Sequence, residues 1–170
     1  MLVQGMSGGG KSTLGSLILG LRDPSAGTLL LDGLDRSSWG DEGWRERVTG
    51  APQFHENHVL AGTLAFNLLL GRRWPPTPDD LDDAEGVCRQ LGLGPLLDRM
   101  PAGLQQNVGE TGWQLSHGER SRVFLARALL QGAEVLVLDE TFGALDAAST
   151  EWCLYRANAF EGALVVIAHP

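Results

Sequence analysis

Gly5-Met6-Ser7-Gly8-Gly9-Gly10-Lys11-Ser12 matches the pattern GxxxxGK[ST], and its flanks make it decisive for the fold. Leu2-Val3 ahead of it reads as a short strand, and Ser12 to Leu21 behind it reads as a helix of small and aliphatic residues. In a strand, loop and helix of this kind, glycines let successive backbone N–H groups curl around phosphate oxygens, and the helix start adds a partial positive charge. The pattern gives Lys11 to the β- and γ-phosphates of a nucleotide and Ser12 to a Mg²⁺ ion. Of the 13 basic residues, Lys11 is the one lysine; the others are arginine. A compact ammonium and a planar guanidinium are not interchangeable against packed phosphate oxygens, so this lysine reads as chemically chosen.

Further along, Thr28-Leu29-Leu30-Leu31 before Asp32-Gly33 suggests a short strand, followed by a helical stretch near Trp44 and a strand ending at Pro52-Gln53. From Phe54 to Leu130 the pattern turns to helices punctuated by glycine and proline, with Asp79 to Leu91 as one helix. Val135-Leu136-Val137-Leu138 and Ala163-Leu164-Val165-Val166-Ile167-Ala168 are unbroken apolar runs, separated by a helix over roughly 147–160. Such runs fit parallel strands covered on both faces. The fold class is therefore α/β: a mainly parallel sheet flanked by helices, with residues 1–53 and 131–170 as the core and residues 54–130 as an inserted helical subdomain. Open parallel sheets bind ligands beyond the carboxyl ends of their strands. The glycine loop after Gly5, the pair Asp139-Glu140 and His169 all fall at such ends. An acid at a strand end can hold the shell of a Mg²⁺ ion, and a neighbouring glutamate can polarise an attacking water.

Composition sets outer limits. A chain of 170 residues with 43% hydrophobic content suits one domain with a sizeable core. The formal net charge of -8 argues against a general electrostatic grip on nucleic acid, so no nucleic-acid partner is expected. Cys88 and Cys153 are too few for a disulfide framework and lack CxxC spacing, which fits a reducing compartment. No apolar run approaches the roughly 18 residues of a membrane helix.

Taken in order, the motifs resemble those of the nucleotide-binding domain of ABC transporters. Gly5 to Ser12 matches the Walker A loop, Gln53 the Q-loop glutamine, and Leu115-Ser116-His117-Gly118-Glu119 the signature. Val135 to Asp139 matches Walker B, Glu140 the catalytic glutamate, Ala144-Leu145-Asp146 the D-loop, and His169 the switch histidine. The resemblance implies ATP and Mg²⁺ as cofactors, and a P-loop core that hydrolyses ATP to power transport. ATP phosphates would be held by Gly5, Ser7, Gly8, Gly9, Gly10, Lys11, Ser12 and Thr13, with Mg²⁺ on Ser12, Gln53 and Asp139. Glu140, Gln53 and His169 would act in catalysis. It also implies a head-to-tail dimer in which residues 115–119 close on the ATP of a second cassette. The partners would be that cassette and a transmembrane domain, at the cytoplasmic face of the cell (inner) membrane.

Val108-Gly109-Glu110-Thr111-Gly112, and Phe54 to Leu60 with Gly62-Thr63-Leu64-Ala65-Phe66-Asn67 after Gln53, resemble segments of exporter-type cassettes. Ser116 also suits the N-cap of a helix running to about Gln131, with Glu119 completing a capping box, and this is compatible with its signature role. His117 stands where glycine is commoner and Glu119 where glutamine is commoner. The family's adenine-stacking aromatic residue belongs upstream of Met1, so a fragment of a longer cassette is expected. A non-hydrolysing binding module is the competing reading. Trp113 is expected to pack locally.

Overall fold

The computed structural model describes residues 1–6, 8–51, 53 and 58–168. Its centre is a four-stranded sheet of β1 (Leu2–Gln4), β4 (Val48–Ala51), β7 (Val135–Asp139) and β8 (Ala163–Ala168). The strands lie in the order β1-β8-β7-β4, and every pairing is parallel. Gln4 sits opposite Ala168, Asp139 opposite Ile167 and Ala51 opposite Leu138. The register therefore brings all four carboxyl ends to one edge, although the strands are far apart in sequence.

The unbroken apolar runs fill both faces of this sheet. Leu136 and Leu138 join the large cluster on one side; Val137 joins Val165 and Ile167 on the other, against Val3, Ile18 and Leu19. Helix α1 (Lys11–Ile18) covers that second face. It rides close because Gly15 has no side chain: a Cβ there would lie 3.0 Å from the Ile167 Cδ1 atom. The expected helix to Leu21 stops at Ile18, where the chain turns through Gly20 at φ +70°.

One local feature differs from the sequence reading. Leu30–Leu31 (β2) does not stand alone but pairs antiparallel with Leu34–Asp35 (β3). Asp32 (φ 51°) and Gly33 (φ 79°) both take the left-handed conformation, as a tight two-residue hairpin turn requires. The carboxylate of Asp35 then caps α2 (Arg36–Arg47), accepting from the Ser38 N–H at 2.8 Å.

The helical segment holds α3 (Leu64–Leu68), α4 (Pro78–Gln90), α5 (Gly94–Arg99), a 3₁₀ turn at Gly103–Gln105 and α6 (His117–Leu130). A small antiparallel ribbon pairs β5 (Gly62–Thr63), just before α3, with β6 (Asn107–Val108), which precedes α6. Helix α4 starts from a complete capping box between Thr77 and Asp80, with Pro78 in the first turn. Leu64, Leu68, Leu91 and Leu125 belong to the same buried cluster as Leu136 and Leu138, so this segment shares one core with the sheet. Trp113 packs against that cluster, as expected from the sequence. Helix α7 (Ala147–Asn158) also contributes, through Cys153 and Ala157. Burial pushes the Cys88 thiol up to about 12 and that of Cys153 to about 11. Among the described residues no helix is long and apolar enough to cross a membrane.

Candidate phosphate-binding site

The loop after β1 is shaped by its glycines. Gly8 (φ 79°) and Gly10 (φ 81°) adopt left-handed backbone, which a side chain would strain, and Gly10 is the N-cap of α1. Among the described residues no side chain caps the first turn of α1, and no acid occupies that turn. Its amide donors and dipole therefore face the cleft uncompensated, which suits an anion. Lys11 is only 8% exposed. Its ammonium donates to the Gly5 carbonyl at 2.7 Å and the Met6 carbonyl at 3.0 Å, spanning the loop from within.

A cleft of about 370 Å³ is lined by Gly8, Gly9, Gly10, Lys11, Ser12, Thr13, Gln53 and Glu140. Three strand exits meet here: the glycine loop follows β1, Gln53 follows β4, and Glu140 follows β7. Gln53 donates its side-chain amide to Ser12 Oγ at 2.8 Å. Glu140 has φ 48°, a left-handed conformation unusual outside glycine, and its N–H donates to the Ile167 carbonyl at 2.9 Å. Strain of this kind is tolerated where the surroundings impose it, commonly at functional sites.

Asp139 lies buried at the end of β7, and its Oδ1 has no hydrogen-bond partner among the described residues. A buried carboxylate oxygen without a partner is costly unless something else satisfies it. Asp139 is not among the residues lining the cleft, but its neighbour Glu140 is; together with the Ser12 hydroxyl and the Gln53 side chain, the candidate ligand oxygens suit a hard divalent cation such as Mg²⁺.

The remaining sequence candidates gather elsewhere. Ser116 is the N-cap of α6: its Oγ accepts from the Glu119 N–H at 3.3 Å, and Glu119 Oε2 accepts from the Ser116 N–H at 2.8 Å. Glu119 Oε1 accepts from Arg99 Nη2 at 2.7 Å, so the charge that distinguishes glutamate from glutamine is offset within the chain. Leu115 is buried, whereas Ser116 and His117 are exposed. A Cβ at Gly118 would lie 3.5 Å from the Ala144 carbonyl oxygen and 3.7 Å from Leu145, so the start of α6 abuts residues 144–145. Asp146 caps α7, accepting from both the N–H and the hydroxyl of Ser149 at 2.9 Å. Residues 115–119 do not line the cleft. Ser7 and His169 lie outside the described residues, as do Phe54 to Asn57 of the segment after Gln53.

Sequence reasoning missed Thr141, whose buried hydroxyl donates to the Ala51 carbonyl at 3.2 Å and ties the exit of β7 to that of β4. It also missed Gly15, which had no signal beyond being a glycine in a helical pattern.

Sheet, loop and cleft together define a P-loop NTPase fold. Within that class the chain belongs to the ABC transporter family, whose sequence profile matches residues 1–143. It is 44% identical over 147 residues to the mycobactin import ATP-binding/permease protein IrtB of Mycolicibacterium thermoresistibile, a match covering 86% of this chain and 24% of that protein. The transport/processing ATP-binding protein ComA of Streptococcus pneumoniae is 33% identical over 168 residues, covering 97% of this chain and 22% of ComA. Among solved structures, a bacterial Atm1-family ABC exporter with ATP bound superposes with a TM-score of 0.84 at 31% identity. That match covers 99% of this chain and 29% of the exporter. The chain thus spans 10% to 24% of the length of the curated relatives it matches, and it is an exporter-like cassette.

Proposed function

We propose that this chain binds ATP with Mg²⁺ and hydrolyses it, as one of two cassettes that power an ABC transporter at the inner face of a membrane. The observation that carries the reading is the meeting of Lys11, Ser12, Gln53 and Glu140 in one cleft at the carboxyl edge of the sheet, with residues 115–119 outside it. A cleft that gathers Lys11, Ser12 and the glycine loop but not residues 115–119 suits a composite site, closed by residues 115–119 of a second cassette in head-to-tail arrangement.

In this reading the α1 amides and Lys11 bind the β- and γ-phosphates and offset the charge that spreads over the γ-phosphoryl oxygens. Ser12, Gln53 and Asp139 hold the cation, which when bound neutralises phosphate charge and fixes the phosphate oxygens. Glu140 orients the water for in-line attack and accepts its proton. His169 senses the γ-phosphate. The unpartnered Asp139 oxygen supports the metal assignment. Names of relatives include both mycobactin import and transport/processing, so the cassette type leaves the direction and the substrate to the membrane domain.

The test is Glu140→Gln in the full polypeptide that carries this cassette. Turnover should fall by about a hundredfold or more while ATP binding persists. Undiminished turnover would remove Glu140 from the base role. A wild-type protein that binds ATP without hydrolysing it would favour the binding module instead.

A further inference from the structure

Glu140 stands in left-handed backbone, φ 48°, at the exit of β7, and it lines the cleft beside Lys11 and Ser12. A residue with a side chain keeps that conformation only where its surroundings impose it. On its amino side, the Glu140 N–H donates to the Ile167 carbonyl at 2.9 Å. This ties residue 140 to β8, which pairs with β7 through Asp139 and Ile167. On its carboxyl side, the Glu140 carbonyl accepts from the Gly143 N–H at 3.2 Å, closing a turn over residues 140–143.

Thr141 supplies the remaining tie. It is 1% exposed, and its hydroxyl donates to the Ala51 carbonyl at 3.2 Å. Ala51 ends β4, the strand on the other side of β7, where it sits opposite Leu138. Residues 140 and 141 are therefore braced to both strands that flank β7, one through a main-chain N–H and the other through a side-chain hydroxyl.

The second brace requires a hydroxyl. Threonine hydroxyls commonly bond within their own turn, whereas this one reaches a residue 90 positions away. The next residue, Phe142, packs against the main apolar cluster, so an aliphatic side chain at position 141 would suit the packing equally well. A buried hydroxyl is costly unless it is bonded, and this bond goes to the neighbouring strand. Thr141 itself does not line the cleft. Its influence on chemistry there runs through the peptide that joins it to Glu140.

Resting on the ATPase reading above, we infer that Thr141 is a positioning residue whose bond to Ala51 holds the peptide after Glu140 and keeps Glu140 in the conformation that sets it at the cleft. With that tie cut, residue 140 relaxes toward the ordinary backbone regions, and its carboxylate leaves the line of the attacking water.

The experiment uses the full polypeptide that carries this cassette, with Thr141→Val and Thr141→Ser, read in kcat and in Kd for Mg-ATP. Thr141→Val should lower kcat by about tenfold and leave Kd within about twofold of the wild type. Thr141→Ser keeps the donor and should hold kcat within about threefold. In a Glu140→Gln background, Thr141→Val should slow turnover by no more than about a further twofold, because the group it positions is already gone. A multiplicative loss in that background, or a serine variant as slow as the valine one, would show a merely structural role and overturn the inference. A rise in Kd that matches the loss in kcat overturns it as well. Hydrogen exchange gives a readout that needs no turnover. Thr141→Val should speed exchange at the Glu140 and Gly143 amides by about tenfold or more while residues 11–18 remain as in the wild type. Unchanged exchange at Glu140 overturns the inference. Should Thr141→Val not fold, Thr141→Ala removes the same donor without bulk beside the Ala51 carbonyl, and the same expectations apply. If the wild type does not turn over, the ATPase reading fails, and the exchange decides the positioning role.

Discussion

Gln53 and Ser12, 41 residues apart, are joined by a 2.8 Å hydrogen bond between a side-chain amide and a hydroxyl. The bond spans from the exit of β4 to the first turn of α1, and it holds two cation-ligand candidates at the mouth of the same cleft. Removing the amide should weaken the metal site and leave the phosphate loop intact. Gln53→Ala is expected to raise the Mg²⁺ concentration for half-maximal hydrolysis by about tenfold or more. Affinity for ATP measured without Mg²⁺ should be unchanged. An unchanged Mg²⁺ requirement would take Gln53 out of the metal site.

Ser116 combines a helix cap with a proposed contact to the ATP of a partner cassette, and two substitutions separate these roles. Ser116→Ala loses the cap, at a cost of about 1 kcal/mol in stability. Ser116→Asp keeps an N-cap of comparable quality, so stability should stay within about 0.5 kcal/mol of the wild type. Its added negative charge opposes the phosphate, and turnover should fall by about a hundredfold. Thermal unfolding and steady-state hydrolysis measured on both variants check the pair. An active Ser116→Asp would leave Ser116 with the cap alone.

Three capping carboxylates make stability sensitive to acid. The Ser38 hydroxyl and N–H, with Ser37, hold Asp35 below its ordinary value of 3.8. The N–H and hydroxyl of Thr77, then Arg72, do so for Asp80, and those of Ser149 do so for Asp146. The unfolded chain takes up protons before the folded one does, so these caps contribute fully above about pH 5 and fade as pH falls through the lowered values. Unfolding midpoints followed from pH 7 to 3 should drop steadily in the acid range. Asp80→Asn should be less stable at pH 7 and show a shallower acid slope; an unchanged slope would contradict the assignment.

Much of this site was legible in the sequence because its signals are local. The glycines of the loop have their reason within a few residues: positive φ at Gly8 and Gly10 is a property of the chain itself. The Ser116 cap, with its acid three residues on, is equally local. The apolar runs of β7 and β8 declare a sheet covered on both faces because no polar face interrupts them. Partners with no periodicity were invisible. Thr141 beside Glu140 and Gly15 within α1 carried no pattern. The Asp32-Gly33 hairpin was read as a strand end because the two residues after it, Leu34-Asp35, are too few to announce a strand.

The sequence by itself determined the glycine loop, the acids at the end of β7, the capped helix that starts after Ser116 and the α/β class. Each depends on backbone conformation or hydrophobic periodicity within one segment. The tertiary structure alone decided that Gln53 meets Ser12 and that residues 115–119 abut residues 144–145 outside the cleft. These relations depend on strand order and on one shared core. The parallel register of β1-β8-β7-β4 brings distant strand ends to a common edge, and that register is a property of the packed sheet, which no single segment encodes.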